Sequence, residues 1–210
     1  GAIPTTGKVS NGLWFDGADD YIVVPDDDTL DLSRTGTLCA FMKLEPDFAT
    51  RVGIVTKAIG GGSSQFSYEL TYVWDDPGPW VEGITAYFHN GVSNVEIPKY
   101  EVDLRGEWHH IAMTWVGTVA HIYCDGVIVG SAEQTIDAMS SYFDVHIGRH
   151  KYWGSWYSMD GILDEVRMYN RSLSTDEINE LLNYTPIPHD NIDEFGILAL
   201  NGGSLTINSA

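Results

Sequence analysis

The chain has 210 residues, 43% hydrophobic and 12% aromatic, enough to bury a full core in one domain spanning 1–210, since single β-sandwiches reach this size. The 30 acidic residues against 11 basic ones give a formal net charge of -19. Such a field excludes nucleic acid and anionic membranes as partners, disfavours anionic polysaccharides and attracts divalent cations.

No apolar run approaches the roughly 20 residues that span a bilayer, so no segment is expected to insert in a membrane. No signal peptide is visible, and the opening GAIPTTGKVS lacks a methionine. It reads as cut from a longer protein, with any leader or anchor outside it.

From the N-terminus, the first signal is FDGADDYIVVPDDDTLD, residues 15–31, where seven aspartates surround one apolar run. Period-two alternation then dominates. SYELTYVW puts Tyr68, Leu70, Tyr72 and Trp74 on one face and Glu69 and Thr71 on the other. ITAYFHN, HHIAMTWV and VAHIYCDG alternate similarly, and all are rich in β-branched and aromatic residues. DGADD, IGGGSS, WDDPGPW, HNG and CDG are turn signals between them. Many short strands so punctuated predict an all-β fold, a jelly-roll sandwich of two antiparallel sheets. Cys39 and Cys124 each fall inside a predicted strand. Paired, they would indicate an oxidising compartment; unpaired, they are small buried hydrophobes. There is no CxxC, and the seven histidines show no zinc-ligand spacing.

One short helix is expected late, in SLSTDEINELLN. Ser174 is its N-cap and Glu177 completes a capping box, with Ile178, Leu181 and Leu182 as the apolar stripe. Residues 183–210 form a C-terminal extension: YTPIPHDN is extended, and FGILALNGGSLTINSA reads as a hairpin around Asn201-Gly202-Gly203.

Several segments together resemble the laminin-G-like, concanavalin A-like lectin and glucanase family of jelly rolls. GLWFDGADDYIVVP resembles its opening strands, and GEWHHIAMTWVGTVAHIYCDGVIVG its central hairpin. IGRH and MDGILDEVRMYNRSLSTDEINELL resemble its closing strand and helix. The resemblance covers about 8–182. It departs at RHKYWGSWYS, an aromatic insertion between Gly148 and Met159, and in the tail after Tyr184. It implies the fold far more than any one function, because this scaffold serves lectins, adhesion modules, hydrolases and lyases alike.

In GILDEVRMYN, Asp164 alternates with Val166 and Met168. If those face the core, Asp164 needs a hydrogen-bonding partner or a cation. First and last strands are commonly neighbours in such sandwiches, which makes Asp16 a companion, and the turn from Asp16 to Asp20 offers carboxylates and carbonyls. A calcium site at Asp16, Asp19 and Asp164 is therefore expected, and the resemblance also implies a structural calcium. The competing reading has Asp16 and Asp19 capping turn amides and Asp164 bonding backbone groups. Asp26, Asp27, Asp28 and Asp31 are expected to be a solvated turn.

No catalytic constellation emerges. The family's glucanases carry an E-x-D-x-x-E strand, which is absent here, and the basic groove of a lyase is not to be expected from 11 lysines and arginines. There is no G-x-S-x-G. His109 and His110 sit where the family has a structural Trp-His pair at the start of a strand. A non-enzyme is expected.

Binding is the stronger expectation. Tyr and Trp join an apolar body to a polar tip, which suits the C–H faces of sugars. Trp153, Trp156 and Tyr157 crowd one predicted loop, and Trp74 and Trp80 bracket another, while Trp14, Trp108 and Trp115 read as core. The expected function is therefore a non-catalytic, lectin-like module of an extracellular or surface protein, taking a neutral glycan or polysaccharide. The alternatives are a protein-binding adhesion or structural domain of a cell-surface or virion assembly, and a divergent glycoside hydrolase.

Overall fold

Strand alternation sorts the apolar side chains onto two facing surfaces, and these close on one another as a jelly-roll sandwich. The computed structural model describes residues 1–9, 11–58, 66–74, 82–90, 92–138, 140–152, 155–184 and 197–199. One sheet runs β1 (Ile3–Thr6), β2 (Asn11–Asp16), β15 (Asp160–Tyr169), β4 (Thr35–Leu44), β9 (His109–Val116), β10 (Val119–Cys124), β11 (Val127–Glu133). The other runs β3 (Ile22–Val24), β12 (Val145–Ile147), β5 (Val52–Ala58), β6 (Phe66–Val73), β7 (Gly83–His89), β8 (Asn94–Glu101). The named pairings within these two runs are antiparallel. The strand ending at Asp16, β2, is a neighbour of β15, with Asp16 opposite Asp160.

Tyr68, Leu70 and Tyr72 of β6 face Ile111, Met113 and Trp115 of β9 across one core. Trp115 is fully buried, whereas Trp14 and Trp108, expected in the core, are only half-buried. A smaller cluster of Cys39, Ala112, Tyr123, Leu173 and Ile178 lies on the outer face of the first sheet, under helix α1 (Thr175–Leu182). Both cysteines are free: Cys39 is in that outer cluster and Cys124 in the inter-sheet core, so the sheet separates them.

The capping box is present: Glu177 N donates to Ser174 Oγ at 3.3 Å and Ser174 N to Glu177 Oε2 at 2.9 Å. Arg171 binds the same carboxylate through both Nη atoms. In the C-terminal extension, β16 (Ile197–Ala199) pairs with Val166–Met168 of β15 in parallel. The hairpin expected at Asn201-Gly202-Gly203 lies outside the described residues.

The insertion RHKYWGSWYS, expected as a loop, forms strands β13 (Arg149–Tyr152) and β14 (Ser155–Ser158), a separate two-stranded sheet packed against β5. Gly53 of β5 makes that packing possible, because a Cβ there would lie 2.4 Å from the Arg149 carbonyl oxygen. Gly148, at φ +77°, turns the chain from β12 into β13; a Cβ there would lie 2.6 Å from Phe15 Cε1.

Candidate functional site

The register aligns one outward-facing row across the six-stranded sheet. His146 of β12 is opposite Thr56, Thr56 opposite Glu69, Glu69 opposite Tyr87, and Tyr87 opposite Glu96. Ser67, Thr71, Thr85 and His89 are further polar groups of this sheet that are buried outside the core cluster. The hairpin β13–β14 lies beside the row, with Thr56 Oγ1 donating to the Arg149 carbonyl at 3.4 Å.

Within the hairpin, Lys151 is opposite Trp156 and His150 opposite Tyr157, so alternation sends Trp156 and Tyr157 to opposite faces. Adjacent in sequence, the two rings do not form one platform. On the Trp156 face, the Arg149 guanidinium lies 3.8 Å from the indole centroid and 3.3 Å from the Tyr21 ring, a three-layer stack. His146 packs on the same indole at 5.2 Å, and Lys151 Nζ lies 5.2 Å from it. Held this way, Trp156 remains 41% exposed.

On the other face, His150 meets Glu69. Their Nδ1–Oε1 separation is 3.6 Å, too long for a hydrogen bond. Burial raises the Glu69 pKa to about 8 and lowers that of His150 to about 3, so both neutral forms are favoured. Glu69 is 5% exposed. In the sequence it is only the polar side of an alternating strand; its burial comes from the hairpin, a contact some 80 residues distant that periodicity does not reveal.

Trp74 is half-buried at the end of β6, packed against the core with the Arg105 guanidinium 5.7 Å from its ring. Trp80 and Trp153 lie outside the described residues.

The expected metal ligands separate. Asp16 and Asp19 come together with Asp20, not Asp164, and carboxylate oxygens of these three lie within 4.8 Å of one another. Asp16 Oδ1 accepts from Ala18 N at 2.9 Å, and that amide foremost lowers its pKa. Asp20 is buried and accepts from Asp16 N at 3.1 Å. Asp160 has its pKa raised by burial, with Glu45, Asp47 and Asp16 adding to the effect. Asp164 is buried elsewhere on β15: its Oδ2 accepts from Val9 N and its Oδ1 from Glu165 N, each at 2.8 Å. Each of its two oxygens is thus held by a backbone amide.

The run Asp26 to Asp31 is not merely solvated. Asp27 caps a short 3-10 turn through Thr29, while Asp26 and Asp31 approach the fully buried ammonium of Lys57 at 2.5 and 3.3 Å. Lys57 lies on an almost wholly apolar strand, which hides the partnership from sequence.

Residues 16–179 match the family pattern described as the concanavalin A-like lectin/glucanases superfamily. Among curated proteins none matches the chain. Domain 4 of AbnA, a GH43 extracellular arabinanase from Geobacillus stearothermophilus solved with arabinotriose, is 17% identical, with a TM-score of 0.67 over 87% of this chain and 82% of that one. The CBM40 of the Ruminococcus gnavus IT-sialidase, bound to α2,3-sialyllactose, is 12% identical, with a TM-score of 0.56 over 82% of this chain and 96% of that one. Trypanosoma rangeli sialidase, with the inhibitor DANA, is 16% identical, with a TM-score of 0.54; the match covers 86% of this chain and 29% of the sialidase. The sandwich thus occurs in sugar-bound domains and within an enzyme's chain, and at these identities the likeness is one of fold.

Proposed function

Because the chain belongs to the concanavalin A-like lectin/glucanases superfamily, we propose that it is a non-catalytic carbohydrate-binding module whose contact surface is the Trp156 face of the β13–β14 hairpin. The observation that carries this is the Trp156 indole, exposed yet pinned by Arg149 against Tyr21. A ring already immobilised loses little entropy when a sugar packs on it. Trp156 supplies the apolar face, with Lys151, opposite it on the same face of the hairpin, as a polar neighbour. With a net charge of -19, a neutral glycan is the favoured ligand, and the likeness to a domain of an extracellular arabinanase favours an extracellular or surface setting. No helix among the described residues is long and apolar enough to cross a membrane. The fold likeness to sugar-bound domains supports the reading.

A polysaccharide panel screened by affinity electrophoresis tests this. Retardation by one neutral glycan, lost in a folded Trp156→Ala variant, is the expected result. Retardation unchanged in that variant would remove the hairpin from the reading.

A calcium ion at Asp16, Asp19 and Asp20 is part of the proposal. Three converging carboxylates in a turn suit a hard cation. The ion would stiffen the turn between β2 and β3.

The hydrolase reading rests on Glu69, protonated near neutrality, and Glu96, two strands away at about 10 Å by sheet spacing. That approaches the separation of an inverting pair. Glu69's burial beneath the hairpin places this reading second. Release of reducing sugar that Glu69→Gln abolishes would promote it. The adhesion reading rests on Val127 and Ile128, exposed on edge strand β11.

A further inference from the structure

At the end of the sandwich away from the β9–β10 turn, three unlike donors converge. Cys124 is opposite Ile111 in the β9–β10 register, and His109 is two residues before Ile111, so both side chains lie on the core-facing side of that sheet. Asp125 follows in a tight turn with Gly126, at φ 50° and 79°. Helix α1 packs over the turn, since a Cβ on Gly126 would lie 2.1 Å from Asn179 Oδ1. Asp125 Oδ1 accepts from His110 N at 2.9 Å, which aims Oδ2 at His109 Nδ1, 2.8 Å away. Cys124 Sγ lies 3.8 Å from the same Oδ2. One ligand atom from each of the three residues lies within 4.8 Å of the others.

We propose that His109, Cys124 and Asp125 form a three-ligand site for a borderline divalent cation of the zinc and cobalt class. An imidazole, a thiolate and a carboxylate suit such ions, whereas calcium takes oxygen alone. With bonds of about 2.0 Å to nitrogen and oxygen and 2.3 Å to sulfur, a tetrahedral ion sets ligand atoms roughly 3.3 Å (N to O) and 3.5 Å (S to O) apart. The observed 2.8 and 3.8 Å differ from these by about half an ångström or less, a change that side-chain rotation can supply. The fixed elements are two paired strands and a left-handed turn, so the backbone is set before the ion arrives. On binding, the Cys124 thiol releases its proton to solvent and His109 presents the lone pair of Nδ1, with the proton on Nε2. His109 and Asp125 are 21% and 46% exposed at the side chain, leaving the fourth position to water.

The site differs from the carboxylate turn at Asp16 in ligand chemistry and in place, so the two are separable in one titration. The test is to titrate the untagged full chain, in calcium-containing buffer, with cobalt(II). One equivalent should bind and produce a near-ultraviolet thiolate-to-cobalt charge-transfer band, displaced by zinc. Cys124→Ser should abolish the band and Cys39→Ser preserve it. His109→Ala, at a partly exposed ring, should weaken cobalt at least tenfold while far-ultraviolet circular dichroism stays unchanged. Absence of a charge-transfer band in the parent protein would overturn the proposal. So would a band that survives Cys124→Ser, or cobalt affinity unaltered in His109→Ala.

Discussion

The buried ammonium of Lys57 lies 2.5 Å from Asp26 Oδ1, joining β5 to the segment that follows β3. Asp31, at 3.3 Å, and the Phe143 carbonyl, at 3.0 Å, complete its shell. A lysine wholly removed from water survives there because each partner accepts a hydrogen bond or offsets charge. Lys57→Met should therefore cost about 3 kcal/mol, since it leaves two carboxylates facing each other without their cation. Asp26→Asn should cost less, because Asp31 and Phe143 remain. Urea unfolding of both variants measures the difference, and equal losses would contradict this assignment.

Gly148 is a second structural constraint. Its φ is +77°, and a Cβ added to it would meet the Phe15 ring at 2.6 Å, so there is no room for a side chain. Phe15 is itself fully buried and has nowhere to retreat. Gly148→Ala should lower stability by about 2 kcal/mol or more, from backbone strain and overpacking together. Thermal melts check it, and an unchanged Tm would show that the β12–β13 turn relaxes freely.

Stability should peak near pH 6.5. Burial lowers the pKa of His110 and His146 to about 4 and of His150 to about 3. The unfolded chain protonates first as pH falls below about 6.5, so stability present above that value is lost toward pH 4, at about 1.4 kcal/mol per pH unit per histidine. Glu69 acts oppositely. With its folded pKa raised to about 8, its contribution is complete below about 4.5, the usual carboxyl range, and is lost as pH rises toward 8. Between 4.5 and 6.5 three histidines outweigh one glutamate; above 6.5 Glu69 alone acts. Glu69→Gln should flatten the decline between pH 6.5 and 8, which a pH series of chemical denaturations reads directly.

Calcium should stabilise the turn at Asp16. At a hundredfold excess over its Kd, an ion bound only to the folded state adds about 2.7 kcal/mol. The Tm in calcium should exceed that in chelator, and Asp19→Asn, at an exposed carboxylate, should shrink the gap without altering the chelator value. Identical melts in calcium and chelator would dispose of the ion.

Alternation and turn chemistry are local, and they are readable. The strands Phe66–Val73 and His109–Val116, the capping box at Ser174 and Glu177, and the pairing of β2 with β15 all follow from residues a few positions apart, or from a repeated family order. The convergence of Asp16 with Asp19 is legible for the same reason: only a short turn containing one glycine separates them.

What only the tertiary structure decided depends on chain segments that sequence does not bring together. Asp164 carries the same alternation signal whatever partner meets it, and that Val9 N, from 155 positions away, is one such partner is visible only in the fold. Trp156 and Tyr157 look like one aromatic patch until the hairpin register sends them to opposite faces, one pinned by Arg149 and the other on the side of His150 and Glu69. His109 and Cys124 have no ligand spacing in sequence, because a metal site needs atoms within a few ångströms and only strand pairing places them there. Local pattern thus determined which faces are apolar and where the chain turns. Which polar groups meet was decided by packing, since burial and charge depend on every segment that closes over them.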